Sequence, residues 1–358
     1  MLLPFRAGTR LPTQLPCWLE SACRYLGRAA EVVRFNVRGN GWVQAAHPAL
    51  MPLVKMGAHQ VLTPPGATET GEPTDLAWTD SDSLEHLAHQ LARQSRPLDL
   101  PRVPLGSPSV EALGRAFQGR GWVRVHETLS SPCIELGERW TEPRGQFNAR
   151  RQSDFRRAHK RANEAGEVRF EVHAPTPGPA LDRWLNEAYA VESKGWKGAG
   201  GTALASDPQL GPFYRGLSNA AAREGLLRLC FLRIGGQPAA MQLALQYGRR
   251  FWLMKIGYDP AYARCSPGQL LMLHTIGHAA GLGLASYEML GNTARWTADW
   301  TTTLRPFVRL RAYPASWRSV LAASAETSHA ALSRWRNWRV SRQAPSVPSA
   351  QESTGSTA

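Results

Sequence analysis

The spacing of apolar positions changes from helical to strand-like near residue 226. Apolar side chains recur at helical spacing over residues 179–194, with Leu181, Leu185 and Tyr189 on one side, and this predicts an amphipathic helix. The apolar runs that follow are short and are separated by glycine-containing turns, so they predict an antiparallel three-stranded meander. These runs are LLRLCFLRI at 226–234, PAAMQLALQY at 238–247 and FWLMKIGYD at 251–259.

Further elements are predicted on both sides of the meander by the same reading. Before it come helices at 80–94 and 108–119, a strand at 122–129, a basic helix at 148–165 and a strand at 167–174. After it come a helix at 270–281, a strand at 286–290, a strand near 304–312 and a helix at about 315–336. Ser81 or Ser83 is the expected cap of the first helix, and Asp207-Pro208 predicts the start of a helix that runs to Gly225.

The order of these elements predicts an α/β protein built around a mixed sheet. A chain of 358 residues is long for one small core, so two domains are expected. The predicted units are an N-terminal domain at 1–145, a C-terminal domain at 146–315, a C-terminal helix at 316–342 and a disordered tail at 343–358. The tail is assigned as disordered because it has few apolar residues.

The formal net charge of +14 raises the question of an anionic partner. Of the 42 basic residues only five are lysine, and such a preference for arginine is typical of a GC-rich genome. Part of the charge is local, since RRQSDFRRAHKR at 150–161 carries several basic residues and one Asp. Two interpretations remain open: solvated helix faces, or a site for a polyanion such as tRNA. No sequence-reading nucleic-acid motif is present, so nucleic acid is not the expected partner.

The cysteines, the histidines and the lengths of the apolar runs argue against several other classes of protein. Five cysteines without a CxxC pair argue against a disulfide framework and a zinc site. His274 and His278 have metal-ligand spacing but no accompanying acid, so packing is expected and no metal is assigned. No apolar run is long enough for a signal peptide or a membrane span, and a cytoplasmic protein without membrane insertion is therefore expected.

Ser266-Pro267-Gly268 lies where the third strand of the meander gives way to a helix. A proline in the first helical turn leaves backbone N–H groups of that turn without partners, and the helix dipole favours an anion there. Glycine lets a ligand approach the backbone closely. The motif predicts a phosphate site, and the simple start of a helix is the alternative.

Several short motifs together resemble a known family. They are WKG at 196–198, GTAL at 201–204, FY at 213–214, KIGYD at 255–259, SPGQLL at 266–271 and LG at 290–291. The combination resembles the acetyltransferases associated with cellulose and exopolysaccharide biosynthesis (the CelD type). These are a branch of the Gcn5-related N-acetyltransferase (GNAT) superfamily, with a domain arrangement similar to the Fem peptidyltransferases. The resemblance covers about residues 150–312 and implies tandem GNAT-type domains, the N-terminal one degenerate.

The resemblance implies acetyl-CoA, or another acyl-CoA, as co-substrate. The turn from meander to helix would hold its pyrophosphate, and the third strand would splay to pair with the pantetheine. The positions that match these roles are Lys255, Ile256, Gly257, Arg264, Ser266, Gly268 and Gln269. Arg264 and Gly268 echo the superfamily's phosphate loop, whose second glycine is missing here.

Acyl transfer requires a group that removes a proton from the acceptor and one that protonates the leaving thiolate. Asp259, Tyr258 and Glu288 are the catalytic candidates, with Tyr287 as a further one. Each has a structural alternative, because residues of these types at strand ends commonly satisfy turns. Lys255 lies amid apolar residues and is expected to find an anion, either in a ligand or in an ion pair.

The glycine-rich segment VESKGWKGAGGTAL at 191–204 is interpreted as a loop beside the acceptor. Trp196 would stack on a sugar or on the acyl-donor chain, Lys197 would meet an anionic group, and Tyr214 completes the substrate-binding candidates. A packed loop with Trp196 in the core is the alternative.

The expected function is acyl-CoA-dependent transfer of an acetyl group to the amine of a sugar or small metabolite, with a link to exopolysaccharide biosynthesis. Two rivals remain. One is a Fem-like enzyme that uses aminoacyl-tRNA, and the other is a non-enzymatic polyanion-binding protein.

Overall fold

The computed structural model describes residues 1–3, 5, 9–26, 32–37, 50–57, 60–195 and 204–324. In this part of the chain one mixed sheet contains eleven strands, in the order β1-β2-β3-β4-β11-β5-β10-β9-β8-β7-β6. The strands are β1 (Val32–Asn36), β2 (Leu50–Met56), β3 (Val61–Thr63), β4 (Leu98–Pro104), β5 (Gly121–Glu135), β6 (Val168–His173), β7 (Leu227–Ile234), β8 (Gln237–Tyr247), β9 (Arg250–Tyr258), β10 (Ser286–Glu288) and β11 (Leu304–Pro314). The predicted α/β class with a mixed sheet is confirmed.

Helices cover both faces of this sheet. They are α1 (Pro16–Tyr25), α2 (Ala67–Thr70), α3 (Ser81–Ala92), α4 (Pro108–Ala116), α5 (Ala149–Ala165), α6 (Pro179–Lys194), α7 (Leu210–Arg223), α8 (Pro267–Gly281) and α9 (Arg295–Ala298). Residues 317–324 are also helical, which agrees with the first part of the predicted C-terminal helix. The rest of that helix and the tail at 343–358 lie outside the described residues.

The meander is confirmed as β7, β8 and β9, each paired antiparallel with the next. The basic helix α5 begins after Asn148, whose side chain accepts a hydrogen bond from the Arg151 N–H, and it ends at Gly166 as predicted. Two helix starts differ from prediction. Asp80, not Ser81 or Ser83, caps α3. The Asp207 side chain accepts hydrogen bonds from the N–H groups of Gln209 and Leu210, and the helix α7 begins at Leu210, three residues after Asp207.

Strand β11 lies between β4 and β5, which both come from the first 145 residues. Strand β5 pairs with β11 over most of its length and with β10 over its last three residues. The two halves of the sheet are therefore joined through β5 and through the return of the chain into its N-terminal half.

Two apolar clusters lie on opposite faces of the sheet. Alternation along β7 places Leu229 and Phe231 in one cluster, and Cys230 and Leu232 in the other. The first cluster continues into the N-terminal half, and the second lies beneath α5 and α8. Among the described helices, none combines the length and apolar character that a membrane span requires.

Candidate functional site

The edge of β9 opens partway along the strand. Strand β10 pairs with β9 in parallel from Arg250 to Trp252, and beyond this point β9 continues in register with β8. The register between β8 and β9 shifts at Met254, an extra residue in β9 that lies two residues after the last pair with β10. Such a bulge increases local twist and bends the strand. The end of the pairing with β10 at Trp252 agrees with the splay predicted near residues 251–257.

Helix α8 begins beside this opening with a turn that leaves one donor free. Ser266 adopts a left-handed conformation (φ 47°, ψ 51°), and its carbonyl accepts the N–H groups of Gln269 and Leu270 at 3.0 and 3.2 Å. Pro267 has no N–H, and the N–H of Gly268 has no carbonyl partner among the described residues. The positive end of a 15-residue helix therefore presents the Gly268 amide.

A cavity of about 500 Å³ lies between the open edge of β9 and the start of α8. Its lining combines an apolar floor with a few polar groups, as is typical of ligand sites. The residues that line it are Glu192, Gly195, Met241, Gln242, Ile256, Gly257, Tyr258, Ala263, Ser266, Pro267, Gly268, Gln269, Leu271, Met272, Trp296 and Trp300. Five predicted cofactor-binding residues, Ile256, Gly257, Ser266, Gly268 and Gln269, are thus brought together at one cavity.

The two glycines at this cavity are there for different reasons. A Cβ on Gly268 would meet only the Tyr258 ring, at 3.9 Å, so the space beside its Cα is open. A Cβ on Gly257 would come within 2.7 Å of the Glu192 Cα, so this glycine allows β9 to pack closely against α6. Gly268 has the close backbone approach that a phosphate requires, and Gly257 is needed by the fold.

The floor of the cavity is held by a buried polar network. The hydroxyl of Tyr287 lies 3.0 Å from the Thr275 Oγ1 and donates to the Gln242 Oε1 at 3.3 Å. Burial raises the pKa of Tyr287 far above its usual value, so this phenol stays protonated and is unsuited to be a general base. Tyr287 therefore orients Gln242.

Asp259 has a structural role that differs from the predicted catalytic one. It accepts hydrogen bonds from the Lys194 ammonium at 2.8 Å and from the Ala261 N–H at 2.9 Å, and it caps a 3₁₀ turn at Pro260–Cys265. Burial acts to raise the pKa of this carboxyl, but the bonds from Lys194 and Ala261 outweigh it and hold the pKa below its usual value. A carboxylate with both oxygens occupied in this way is a poor base, and it does not line the cavity.

Glu288 also has a structural role, as part of a buried ion pair within the sheet. It is 1% exposed, its Oε1 accepts from the Arg305 guanidinium at 2.9 Å, and Arg250 lies 3.5 Å away. The Ser286 hydroxyl donates to the same carboxylate at 2.6 Å. This ion pair joins β10 to β11 within the sheet, and Glu288 does not line the cavity, so its position favours the structural alternative over the predicted role as a base.

Lys255 and Tyr214 lie on the face of β9 opposite to the cavity, which corrects both predictions for them. The Lys255 ammonium lies 4.6 Å from the centroid of the Tyr214 ring. Tyr214 belongs to the apolar cluster under α7, whereas Ile256, the next residue of β9, packs on the other cluster and lines the cavity. Neighbouring residues of a strand point to opposite faces, and this separates Lys255 from the cavity.

The remaining predicted residues have different outcomes. Tyr258 lines the cavity and is 40% exposed, so it is the catalytic candidate that the structure places at the site. Arg264 is exposed and near the start of α8, and its carbonyl accepts from the Arg161 guanidinium at 3.2 Å. Trp196 and Lys197 lie outside the described residues.

Sequence reasoning missed several residues that line the cavity, among them Gln242, Glu192 and Trp296. Gln242 and Glu192 lie within strand and helix patterns that indicate only burial. Trp296 is 41% exposed at the cavity. Trp300 is buried and packs against Phe147 with ring centroids 5.5 Å apart. The sequence signal that could have identified Trp296 as a site residue is its position in NTARWTADW, a short polar segment directly after Gly291.

His274, the first of the two histidines of α8, has a packing role. His274 stacks on Phe170 with ring centroids 4.6 Å apart, as the packing interpretation expects. Burial lowers the pKa of His274, and nearby His278 adds to this effect. The burial of the ring and the nearby His278 therefore both favour the neutral form of His274.

Comparisons with known proteins agree with this arrangement. Residues 149–297 match the acetyltransferase (GNAT) domain family, a segment that runs from the start of α5 into α9 and contains nearly all of the cavity. This part of the chain is therefore similar in sequence to GNAT-type acetyltransferase domains. No curated protein sequence is similar to the chain at a significant level.

Solved structures share the fold across both halves at low sequence identity. The C-terminal domain (DUF2156) of a protein described as a lysylphosphatidylglycerol synthetase, from Agrobacterium fabrum, is 13% identical, covers 87% of this chain and 93% of its own, and has a TM-score of 0.53. FemX is 11% identical, with 85% and 92% covered and a TM-score of 0.53. A conserved protein of unknown function from Bacteroides thetaiotaomicron VPI-5482 is 10% identical, with 83% and 89% covered and a TM-score of 0.52. These structures share the mixed α/β fold of the chain across both of its halves.

Proposed function

We propose that this protein is an acyltransferase that uses acetyl-CoA or another acyl-CoA as donor. The observation that carries the proposal is the free Gly268 amide at the start of α8, facing a cavity whose other wall is the open edge of β9. A helix N-terminus with an unpaired N–H binds phosphate, and the open space beside the Gly268 Cα is what close approach of a pyrophosphate needs.

Acyl-CoA, when bound, supplies an activated acyl group on a thioester. In this proposal the N-terminus of α8, with Ser266, Gly268 and Gln269, holds the pyrophosphate, and Ile256 and Gly257 border the pantetheine. Tyr258 is the hydroxyl at the cavity that can give a proton to the leaving thiolate. The apolar wall, which includes Trp296, excludes water from the thioester.

The proposed acceptor is an amine of a sugar or small metabolite. The link to exopolysaccharide biosynthesis rests on the resemblance of residues 150–312 to the CelD-type acetyltransferases. The proposed cytoplasmic location rests on the five scattered cysteines, which predict no disulfide framework. A saccharide is the proposed partner of the site. The rival partner is tRNA.

A Fem-like reaction with aminoacyl-tRNA is the second candidate, and α5 supports it. This helix is mostly exposed, and a surface depression beside it is lined by Arg144, Arg156, His159 and Lys160. Such a surface suits a phosphate backbone. Several of its charges are already compensated, however, as in the pairs of Arg157 with Asp154 and of Lys160 with Glu164.

Calorimetry separates the two candidates. The acyltransferase is expected to bind acetyl-CoA with an affinity that changes little between low and moderate salt, and to release free thiol when an amine acceptor is added. A protein that binds only bulk tRNA, with an affinity that falls steeply with salt, would contradict the acyl-CoA proposal and support the Fem-like or polyanion-binding alternatives.

A further inference from the structure

The wall of the cavity contains a buried amide donor that the protein itself does not satisfy. The Gln242 side chain is 3% exposed and lines the cavity. Its Nε2 donates to the Met272 sulfur at 3.6 Å, and a thioether sulfur is a weak acceptor. Because an amide nitrogen carries two N–H groups, one N–H of Gln242 has no partner among the described residues.

The position of Gln242 in β8 places this amide beneath α8. Ala240 and Ala244, two residues before and after it, belong to the apolar cluster under α5 and α8, and alternation along the strand gives Gln242 the same face. Ile256 lies directly opposite Gln242 in the pairing of β8 with β9, and it also lines the cavity. The amide therefore lies beside the wall that the proposed function assigns to the pantetheine.

Tyr287 determines which end of the amide is left for a ligand. Its hydroxyl lies 3.0 Å from the Thr275 Oγ1 and donates to the Gln242 Oε1 at 3.3 Å. Since the oxygen of the amide is occupied, the group that remains is a hydrogen-bond donor. A buried donor without a partner is unfavourable, so this position favours a ligand that brings an acceptor.

The exposure of the lining residues shows that Gln242 lies away from the mouth of the cavity. Tyr258 and Trp296 are 40% and 41% exposed and mark the mouth, whereas Met272, which contacts Gln242, is 3% exposed. A Cβ on Gly268 would meet the Tyr258 ring, so the proposed pyrophosphate site is at the mouth. The acyl group is at the opposite end of an acyl-CoA from its pyrophosphate, and it is therefore the part that extends toward the enclosed end.

The charge of the lining restricts the acyl group further. Among the described residues that line the cavity, Glu192 is the only one with a charged side chain. It is 2% exposed, and its Oε2 accepts from the Leu204 N–H at 2.9 Å. A carboxylate on the acyl chain would meet a negative charge and no cation there, so a neutral oxygen suits the cavity better.

We propose that Gln242 selects an acyl donor whose acyl chain carries a neutral oxygen, a hydroxyl or an oxo group, beyond the thioester. The free N–H of Gln242 donates to this oxygen. A plain hydrocarbon chain leaves the N–H unpaired and binds more weakly for that reason. The inference rests on the proposed function, since it concerns the identity of the acyl-CoA, and it makes Gln242 a specificity-determining residue.

The test is calorimetry of the full-length protein with 3-hydroxybutyryl-CoA and butyryl-CoA, which differ by one hydroxyl group. We expect the wild type to bind the hydroxylated ester at least tenfold more tightly, and to bind succinyl-CoA more weakly than that ester. Gln242→Met keeps the approximate length of the side chain and removes its N–H groups, so it should bring the ratio of the two affinities close to one by weakening only 3-hydroxybutyryl-CoA. Gln237→Met, at an exposed position in the same strand, is the control and should keep the wild-type ratio.

A wild type that binds acetyl-CoA but does not prefer 3-hydroxybutyryl-CoA to butyryl-CoA overturns this inference and leaves the acyl-CoA proposal intact. An unchanged ratio in Gln242→Met, or an equal loss of affinity for both esters, also overturns it. If none of these CoA esters binds, both proposals are wrong.

If Gln242→Met fails to fold by its thermal transition, Tyr287→Phe decides. This variant removes the hydroxyl that holds the Gln242 Oε1, so the amide can turn, and the ratio should fall at least threefold. An unchanged ratio in a folded Tyr287→Phe protein overturns the inference.

Discussion

At the scale of single residues, Gly268 combines a free amide with open space beside its Cα. A Cβ there would contact only the Tyr258 ring, at 3.9 Å, so a larger side chain would extend into the cavity. We expect Gly268→Val to weaken acetyl-CoA binding at least tenfold, about 1.4 kcal/mol, because the added methyl groups occupy the position of the pyrophosphate. The melting temperature without ligand should change only slightly. Calorimetry and thermal unfolding of the same variant measure both quantities.

Gly281→Val is the matched control, since Gly281 is at the other end of α8 and also has open space around its Cα. It should leave the affinity unchanged. Arg264→Ala should have a smaller effect than Gly268→Val, because Arg264 is exposed and salt screens its attraction. A Gly268→Val protein that is destabilised but binds acetyl-CoA normally would show that this glycine serves only the start of the helix.

Residue type alone was an uncertain guide to catalytic role. Asp259, Glu288 and Tyr258 are all chemically capable of proton transfer, yet the first caps a turn and the second pairs with Arg305. What distinguishes Tyr258 is that its side chain faces the cavity. That direction follows from packing around β9, which no local pattern shows.

At the scale of elements, two helices begin with the same dipeptide and differ in what occupies their N-termini. Helix α4 starts at Ser107-Pro108 and α8 at Ser266-Pro267. At α4 the Ser107 side chain accepts the Ser109 N–H and donates to the buried Asp75 carboxylate. The N-terminal half thus fills this position with a carboxylate of its own, which supports our inference that it is the degenerate unit.

The buried carboxyl group of Asp75 leads to a prediction about how stability depends on pH. Burial raises its pKa to about 6 from 3.8, and the bonds from Ser107, Ser109 and Leu76 oppose that rise without cancelling it. A raised carboxyl pKa contributes stability that is fully present below pH 3.8 and is lost as the pH rises through about 6. From pH 5 to pH 7 the free energy of unfolding of the wild type should therefore fall by roughly 1 kcal/mol relative to that of Asp75→Asn. Urea unfolding of both proteins at the two pH values measures this difference.

Asp82→Asn, at an exposed position in α3, is the control and should track the wild type at both pH values. A stability difference between Asp75→Asn and wild type that stays constant from pH 5 to 7 would mean that Asp75 does not titrate in this range.

At the scale of the whole molecule, β11 is the last described strand, and it returns the chain to the N-terminal half of the sheet between β4 and β5. A chain that ends at Thr303 would lose β11 and leave facing edges of β4 and β5 unpaired. We expect this truncation to abolish cooperative unfolding and to expose apolar surface, as measured by circular dichroism and dye binding.

A chain that ends at Arg342 lacks only the tail predicted to be disordered, and it should unfold like the full-length protein. Cooperative unfolding of the Thr303 chain with an unchanged midpoint would show that the N-terminal sheet is stable without β11.

The sequence by itself determined the local elements and the motif at the start of α8. The meander, α5 with its stop at Gly166, and the turn at Ser266-Pro267-Gly268 depend on period, caps and glycine positions, which act between near neighbours in the chain. Only the tertiary structure decided that β11 lies between β4 and β5, and that Lys255 contacts the Tyr214 ring and does not line the cavity. Strand order is set by long-range pairing, and the bulge at Met254 and the packing of α6 and α7 set the direction of each side chain on β9.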